Sequence, residues 1–467
     1  MAKTITYPRR GIKREDVINQ DTFNRLTQEL FLWKQGPGNI GGMHLHSCWG
    51  ETSVLGKKYH GQTVFPSHDH ISGAILLYER TGNPKWKIFA NEIISNLLFL
   101  QCDDGGFRHA SGEYEPTYIS GATCPIHQNY PILAMLAYAG WEHGDKELKE
   151  LIKPAIDKHW AWFNDDWWMR GPGKTRPMDV AGWCAVTNQD MTVIAALSGY
   201  GRVYGDMSRY EKWGKPALDT FLSSRYYYDQ IGLFERGDGV NFTERTSYFS
   251  VIFVMLNKIY NDTKDERIPQ VLDNCAAHVF DAIYTGDDGH TYLAWGAKTD
   301  PDDKSYVVDW MKTPVVINEY PFVLKQMEDY LSRHPDPEKR AALDKVEETF
   351  YGCIFCDGVL PGAFWPKDPI ITIAASPNCK FWLWMVEQLG DDIRDPEPVE
   401  ELCRHRVLDN YVWKRKRHLW TIERDGERVY GGYTPIAMGV TLGDQSPALG
   451  SYADLDNADV IEVINHA

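Results

Sequence analysis

Residues 187–206 read TNQDMTVIAALSGYGRVYGD. Asn188-Gln189-Asp190 opens the stretch, Met191, Val193, Ile194, Ala195, Ala196 and Leu197 form its body, and Gly205-Asp206 closes it. This pattern predicts a helix of about four turns, polar at its start, buried along its body and stopped by a glycine. Five other segments share the design. His68-Asp69-His70 leads ISGAILLYERTGN, and His127-Gln128-Asn129 leads YPILAMLAYAGWEHGD. Glu244-Arg245-Thr246-Ser247-Tyr248 leads FSVIFVMLNKIYND, Asn318-Glu319-Tyr320 leads PFVLKQMEDYLSRHPD, and Ser376-Pro377-Asn378 leads CKFWLWMVEQLGD. Their closing residues, Asn83, Asp145, Asp206, Asp262, Asp336 and Asp391, are spaced by 62, 61, 56, 74 and 55 residues. A drifting period near sixty makes the repeat the unit of the fold.

A second, less apolar helix is expected before each of these, over about 17–34, 86–102, 147–165, 209–228, 267–284 and 339–356. Their ends rhyme as turns, in Asp103-Asp104-Gly105-Gly106-Phe107, Asp229-Gln230-Ile231-Gly232-Leu233-Phe234 and Asp287-Asp288-Gly289-His290. Gly-Asp turns lead from inner to outer helix, and loops of roughly 15 to 35 residues lead from outer to inner. A helix apolar on every side must be covered on every side, so six inner helices close into a ring inside six outer ones. The expected fold is all-α, an (α/α)6 barrel over residues 1–391. Residues 392–467 form a small covering segment, with a short helix at 396–406 and a hairpin at 419–430 around Asp425-Gly426.

Composition narrows the partners. The chain has 467 residues, 43% of them hydrophobic, and a formal net charge of -16, which argues against nucleic acid or an anionic membrane as partner. No apolar run reaches the ~18 residues of a membrane span, and MAKTITYPRRGIKRED has no apolar signal core, so a cytoplasmic location is expected. Nine scattered cysteines fit free thiols, and the one CxxC, Cys353 and Cys356, reads as structural. The phosphate-loop, dinucleotide, zinc-protease and nucleophile-elbow motifs are all missing, and no cofactor is expected.

From Val17 to Asp391 the chain resembles the (α/α)6 toroids of the six-hairpin glycosidase superfamily, on its six hairpins, its Asp-Gly-aromatic turns such as CDDGGF, and the polar starts of its inner helices. The resemblance implies an active site at the mouth built by the outer-to-inner loops. It also implies an activity among glycoside hydrolases, polysaccharide lyases and sugar epimerases, and the fold alone does not choose between them.

In that architecture the six polar starts meet in one ring. The carboxylates there, Asp190, Asp69, Glu319 and Glu244, are the candidates for the acid and the base of glycoside hydrolysis, with Asp190 placed first. His127 and Tyr248 join them as candidate catalytic groups. His68, His70, Gln128, Asn129, Asn188, Gln189, Arg245, Tyr320, Trp49 and Trp183 are candidates for binding substrate, and Asn378 completes the ring. Each single polar residue also serves as a helix cap, but caps do not require His, Gln, Arg and Tyr together. Tryptophans in the long loops, among them Trp295, Trp310 and Trp365, offer flat faces to a pyranose, and Arg108, Arg170, Arg176 and Arg245 are candidates to hold a uronate carboxylate. His44, His46, His68 and His70 form two HxH pairs that would suit a transition metal, the lesser reading because no fixed-spacing motif is matched.

The leading expectation is a glycoside hydrolase acting on an oligosaccharide or polysaccharide, with or without a uronate. A lyase is the alternative, with His127, Asn129, Asn188, Arg245, Tyr248 and Tyr320 arranged for β-elimination. A sugar epimerase using a pair of ring histidines comes third.

Overall fold

The computed structural model describes residues 8–35, 67–107, 125–165, 182–237, 243–313, 316–317, 320–354, 358, 360, 363–364, 370–372, 375–397, 405–408, 411–416, 419–424, 427–433 and 439–441. After a short turn of helix at Arg14–Val17, twelve helices alternate among the described residues. The outer ones are α1 (Gln20–Gln35), α3 (Pro84–Leu100), α5 (Lys146–Asp165), α7 (Lys215–Phe221), α9 (Arg267–Val279) and α11 (Pro337–Gly352). The inner ones are α2 (Ser67–Thr81), α4 (Pro125–Ala139), α6 (Thr187–Tyr204), α8 (Phe249–Thr263), α10 (Tyr320–Arg333) and α12 (Ala375–Leu389). Each inner helix touches the next, and α12 closes the ring against α2. The architecture is the (α/α)6 barrel, as the repeat predicts.

Inner helices are buried because the ring surrounds them. In α4 every residue from Pro125 to Leu136 is buried, and in α6 the run Asp190–Gly201 is buried throughout. Gly205 ends α6 in the left-handed region at φ 71°, where a side chain would be strained. The closing Asn and Asp residues have a second task, since most cap the next outer helix. Asn83 accepts from the amide of Lys85, Asp145 from Leu148, and Asp336 from Glu338 and Lys339, while Asp206 accepts from Ser208, at the head of the helical stretch that runs through a π turn at Tyr210–Gly214 into α7. Asp262 differs: it lies inside α8 and accepts from Ser198 Oγ at 2.9 Å and Arg202 Nε at 2.6 Å.

Four expectations need correction. The fourth outer helix stops at Phe221 and the fifth at Val279, not at 228 and 284, because the aromatic residues that follow pair as strands. Tyr227–Tyr228 pairs with Leu233–Phe234, and Ile283–Thr285 with Thr291–Leu293, so these Asp-Gly turns are hairpin turns. The Glu244 cluster is not a helix start: α8 begins at Phe249, after a 3-10 turn at Thr246–Tyr248. In the tail, His405 and Arg406 lie in a strand rather than a helix, and 398–404 fall outside the described residues. The hairpin at 419–430 is there, inside a four-stranded antiparallel meander over 405–433. Gly439–Thr441 pairs with Ile370–Thr372.

The five cysteines that are described, Cys102, Cys184, Cys275, Cys353 and Cys379, are all free. No helix among the described residues is long and apolar enough to cross a membrane.

Candidate active site

The fourth residue of four inner helices turns back on a neighbouring segment. In α4, Gln128 accepts from the Phe107 amide at 2.8 Å and donates to the Phe107 carbonyl at 2.9 Å. In α12, Asn378 makes the same pair of bonds to Leu360, at 2.8 and 3.0 Å. An amide side chain suits both places because one backbone residue offers one donor and one acceptor. In α6 the segment presents only amides, and the residue is a carboxylate: Asp190 accepts from Trp183 at 3.1 Å, Cys184 at 3.1 Å and Ala185 at 3.0 Å. Asp190 is fully buried, and burial pushes its carboxyl up to about 6 against the pull of those three amides. In α2 the fourth residue is His70, whose Nε2 lies 2.8 Å from Cys379 Sγ.

A second group gathers where α6 meets the segment before α8. Glu244, wholly buried, accepts from Arg236 Nη1 at 2.9 Å, from the Arg245 amide at 3.0 Å and from the Asn188 amide at 3.4 Å. Burial raises its carboxyl to about 7, with Arg236 opposing. The Arg245 guanidinium lies 4.6 Å from the Trp295 ring centre and 5.3 Å from that of Tyr248, and donates to the Tyr248 hydroxyl at 3.4 Å.

A third group faces the axis of the barrel. His68 and Asp69, 3% and 4% exposed, line a cavity of about 550 Å³ between the inner helices, with Tyr130 from α4, Lys258 from α8 and Lys380 from α12. His68 Nδ1 lies 3.3 Å from Asp69 Oδ1, and its ring stacks on Tyr130 at 5.6 Å. His68 Nε2 and Asp69 Oδ2 are buried without a hydrogen-bond partner among the described residues. Burial and then the charge of Lys258 lower the His68 pKa, with Asp69 opposing. The imidazole is therefore neutral at pH 7, and the tautomer that donates from Nδ1 to Asp69 leaves Nε2 as a bare acceptor.

The ring of polar starts thus divides into parts with different work. His127 is 9% exposed, and Asn129 donates to the Pro125 carbonyl of its own helix at 2.9 Å. Gln189 is half-buried and accepts from Cys184 Sγ. Tyr320 is buried and donates to the Leu293 carbonyl at 3.3 Å. Trp183 is 2% exposed and packs against Trp160 and Phe163, in the core and not on the cavity lining. Asn318, Glu319, Trp49, Trp365, His44, His46, Arg108, Arg170 and Arg176 lie outside the described residues. Among the described residues no group of three or more His, Cys, Asp or Glu is arranged to hold a metal. The sequence reading missed Lys258, Lys380 and Arg236, none of which stands at a helix start.

The chain is similar in structure to the cellobiose 2-epimerase of Bacillus thermoamylovorans, with a TM-score of 0.55 at 11% identity over 78% of this chain and 99% of that one. It is similar to a sugar epimerase from a ruminal bacterium, with a TM-score of 0.54 at 12% identity over 78% and 98%. An unsaturated glucuronyl hydrolase specific for heparin gives 0.50 at 11% identity over 81% and 97%. No family model matches the sequence, and no curated protein matches it. The likeness is one of fold, that of the six-hairpin toroids.

Proposed function

We propose that this chain is a carbohydrate-active enzyme whose reaction begins when His68 removes a carbon-bound proton. The observation that carries the reading is the imidazole: neutral, backed by Asp69, with Nε2 unpartnered at the axial cavity. Proton abstraction needs a base of this kind within reach of substrate. The two-carboxylate chemistry of hydrolysis has less support, because Asp190 and Glu244 spend their oxygens on backbone amides and Arg236. Two of the compared structures are named as sugar epimerases, which agrees with this choice.

The reaction best suited to one such base is epimerisation or isomerisation of a reducing sugar. In the open-chain form Nε2 takes the proton from the carbon beside the carbonyl, the C–H electron pair forms a carbon–carbon double bond, and the carbonyl π pair moves onto its oxygen to give the enolate. The charge of Lys380 offsets the negative charge that develops there. Return of a proton to the opposite face completes the epimer. That proton comes from solvent, since His127, three residues before Tyr130 on α4, is not among the residues that line the cavity.

Incubation with reducing mono- and disaccharides in deuterated water tests this. The expected product has the composition of the substrate and carries one carbon-bound deuterium, seen by NMR and mass spectrometry. Smaller fragments without carbon-bound deuterium would refute the reading and establish hydrolysis. That second reading has one observation in its favour, the Glu244 carboxyl raised to about 7, as a general acid requires. A new near-ultraviolet absorbance would instead establish elimination.

A further inference from the structure

We propose that the substrate carries an anionic group, a carboxylate or a phosphate ester, which seats on Lys258 below the His68–Asp69 pair. This rests on the reading of the axial cavity as the sugar site. Lys258 lies nine residues beyond Phe249, roughly 13 Å down the axis of α8, and helical side chains lean back toward the amino-terminal end. Its ammonium therefore reaches up into the 550 Å³ cavity that His68 and Asp69 cap, and a smaller cavity of about 350 Å³ also has Lys258 in its wall.

Among the other charges lining the larger cavity, Lys325 is paired with Glu387 and Asp69 lies against His68, while Asp329 stands nine residues into α10, at about the depth of Lys258, with no ion pair joining the two among the described residues. Lys380 lies five residues into α12, nearer the mouth by roughly 6 Å of helix rise, with its ammonium 5.9 Å from the Tyr130 ring centre. Lys258 has no hydrogen bond and no carboxylate within ion-pair distance among the described residues. The nearby carboxylates that act on it, Asp262, Asp69 and Glu387, do so only across a gap, and burial dominates by drawing its pKa down. Lys258 is half-buried on the wall of this cavity, and an anion seated there would give its ammonium the charged partner it lacks among the described residues. The offset between Lys380 and Lys258 is about the length of a sugar ring. A substrate whose reacting carbon meets His68 thus places a substituent from its far end on Lys258.

The test measures binding rather than turnover, so it stands or falls apart from the reaction assigned to His68. Calorimetric titration of the full chain with glucuronate, glucose 6-phosphate and glucose is expected to show at least tenfold tighter binding of one of the charged sugars. Preference for glucuronate identifies the carboxylate, and preference for glucose 6-phosphate the phosphate. Lys258→Met should reduce the preferred sugar to the affinity of glucose, Lys258→Arg should keep the preference, and His68→Asn should leave it intact. Added potassium chloride should weaken the charged sugar and not glucose, a readout that needs no variant. Equal affinity for all three sugars overturns the proposal, as does a preference that survives Lys258→Met.

Discussion

Asp190 gives the sharpest quantitative expectation. Its carboxylate is fully buried, it is met by three backbone amides, and burial still wins, holding it at about 6 instead of the ordinary 3.8. A carboxyl whose pKa is higher folded than unfolded binds more protons in the native state between the two values. Its contribution to stability is complete below pH 3.8 and is lost as pH rises through 6. The difference corresponds to about 3 kcal/mol. Asp190→Asn removes the titration. It also leaves one amide, that of Trp183, Cys184 or Ala185, facing a side-chain donor, at a cost of about 1–3 kcal/mol that does not vary with pH. Urea unfolding of both proteins at half-unit steps from pH 4 to 7.5 should therefore show the wild type losing about 2.4 kcal/mol relative to the variant across that interval. Subtracting the two curves removes Glu244 and Glu347, whose raised carboxyls titrate in both proteins. Parallel curves would refute the reasoning. So would the opposite slope, which would mean that the three amides outweigh burial. The same variant separates two roles: a segment holder keeps turnover within tenfold once folded, whereas a catalytic carboxylate loses at least a thousandfold.

The two amide holders should act purely on stability. Gln128→Ala and Asn378→Ala each strand one buried donor and one buried acceptor, on Phe107 and Leu360. Each should cost about 3 kcal/mol by denaturant midpoint, and Gln128→Glu, which keeps only the acceptor, about half of that. For His68 the expectation concerns pH. The groups facing it are Asp69 on its own helix, Tyr130 from α4, Lys258 from α8 and Lys380 from α12, and their sum with burial lowers its pKa. Base strength is thus kept down to mildly acidic solution, so the acid limb of kcat against pH should fall below 6.5. Asp69→Asn removes a raising influence and should move that limb lower still; a limb that stays fixed would take His68 out of the rate-limiting step.

The barrel is legible in the sequence because the repeat fixes it twice, through the apolar inner helices and through the Asp-Gly turns. Both are local signals that survive poor knowledge of helix ends. The ends themselves fail at Tyr227–Tyr228 and Ile283–Thr285, where aromatic and β-branched residues go over to hairpins. Their strand preference is satisfied only by a partner across the turn, and helical periodicity does not count that partner.

The site is less legible because the polar starts of the inner helices combine two kinds of residue. The fourth position of a helix looks back at the preceding segment, and there Gln128, Asn378 and Asp190 serve the architecture. The second and third positions of α2 look along the axis, and there His68 and Asp69 remain available. Composition alone cannot separate them, but register can. Lining residues farther along the axis follow the same rule: Ser250, Val254, Asn257, Lys258 and Asn261 recur on one face of α8 at helical spacing, as Phe322, Lys325, Gln326 and Asp329 do on α10. An inner helix that is apolar elsewhere has a reason to carry Asn, Lys and Asn on a single stripe only if that stripe borders a wet cavity. The axial cavity was therefore written into FSVIFVMLNKIYND, below the polar start on which attention first falls, and Lys258 is the residue in that stripe whose charge the protein leaves unmatched.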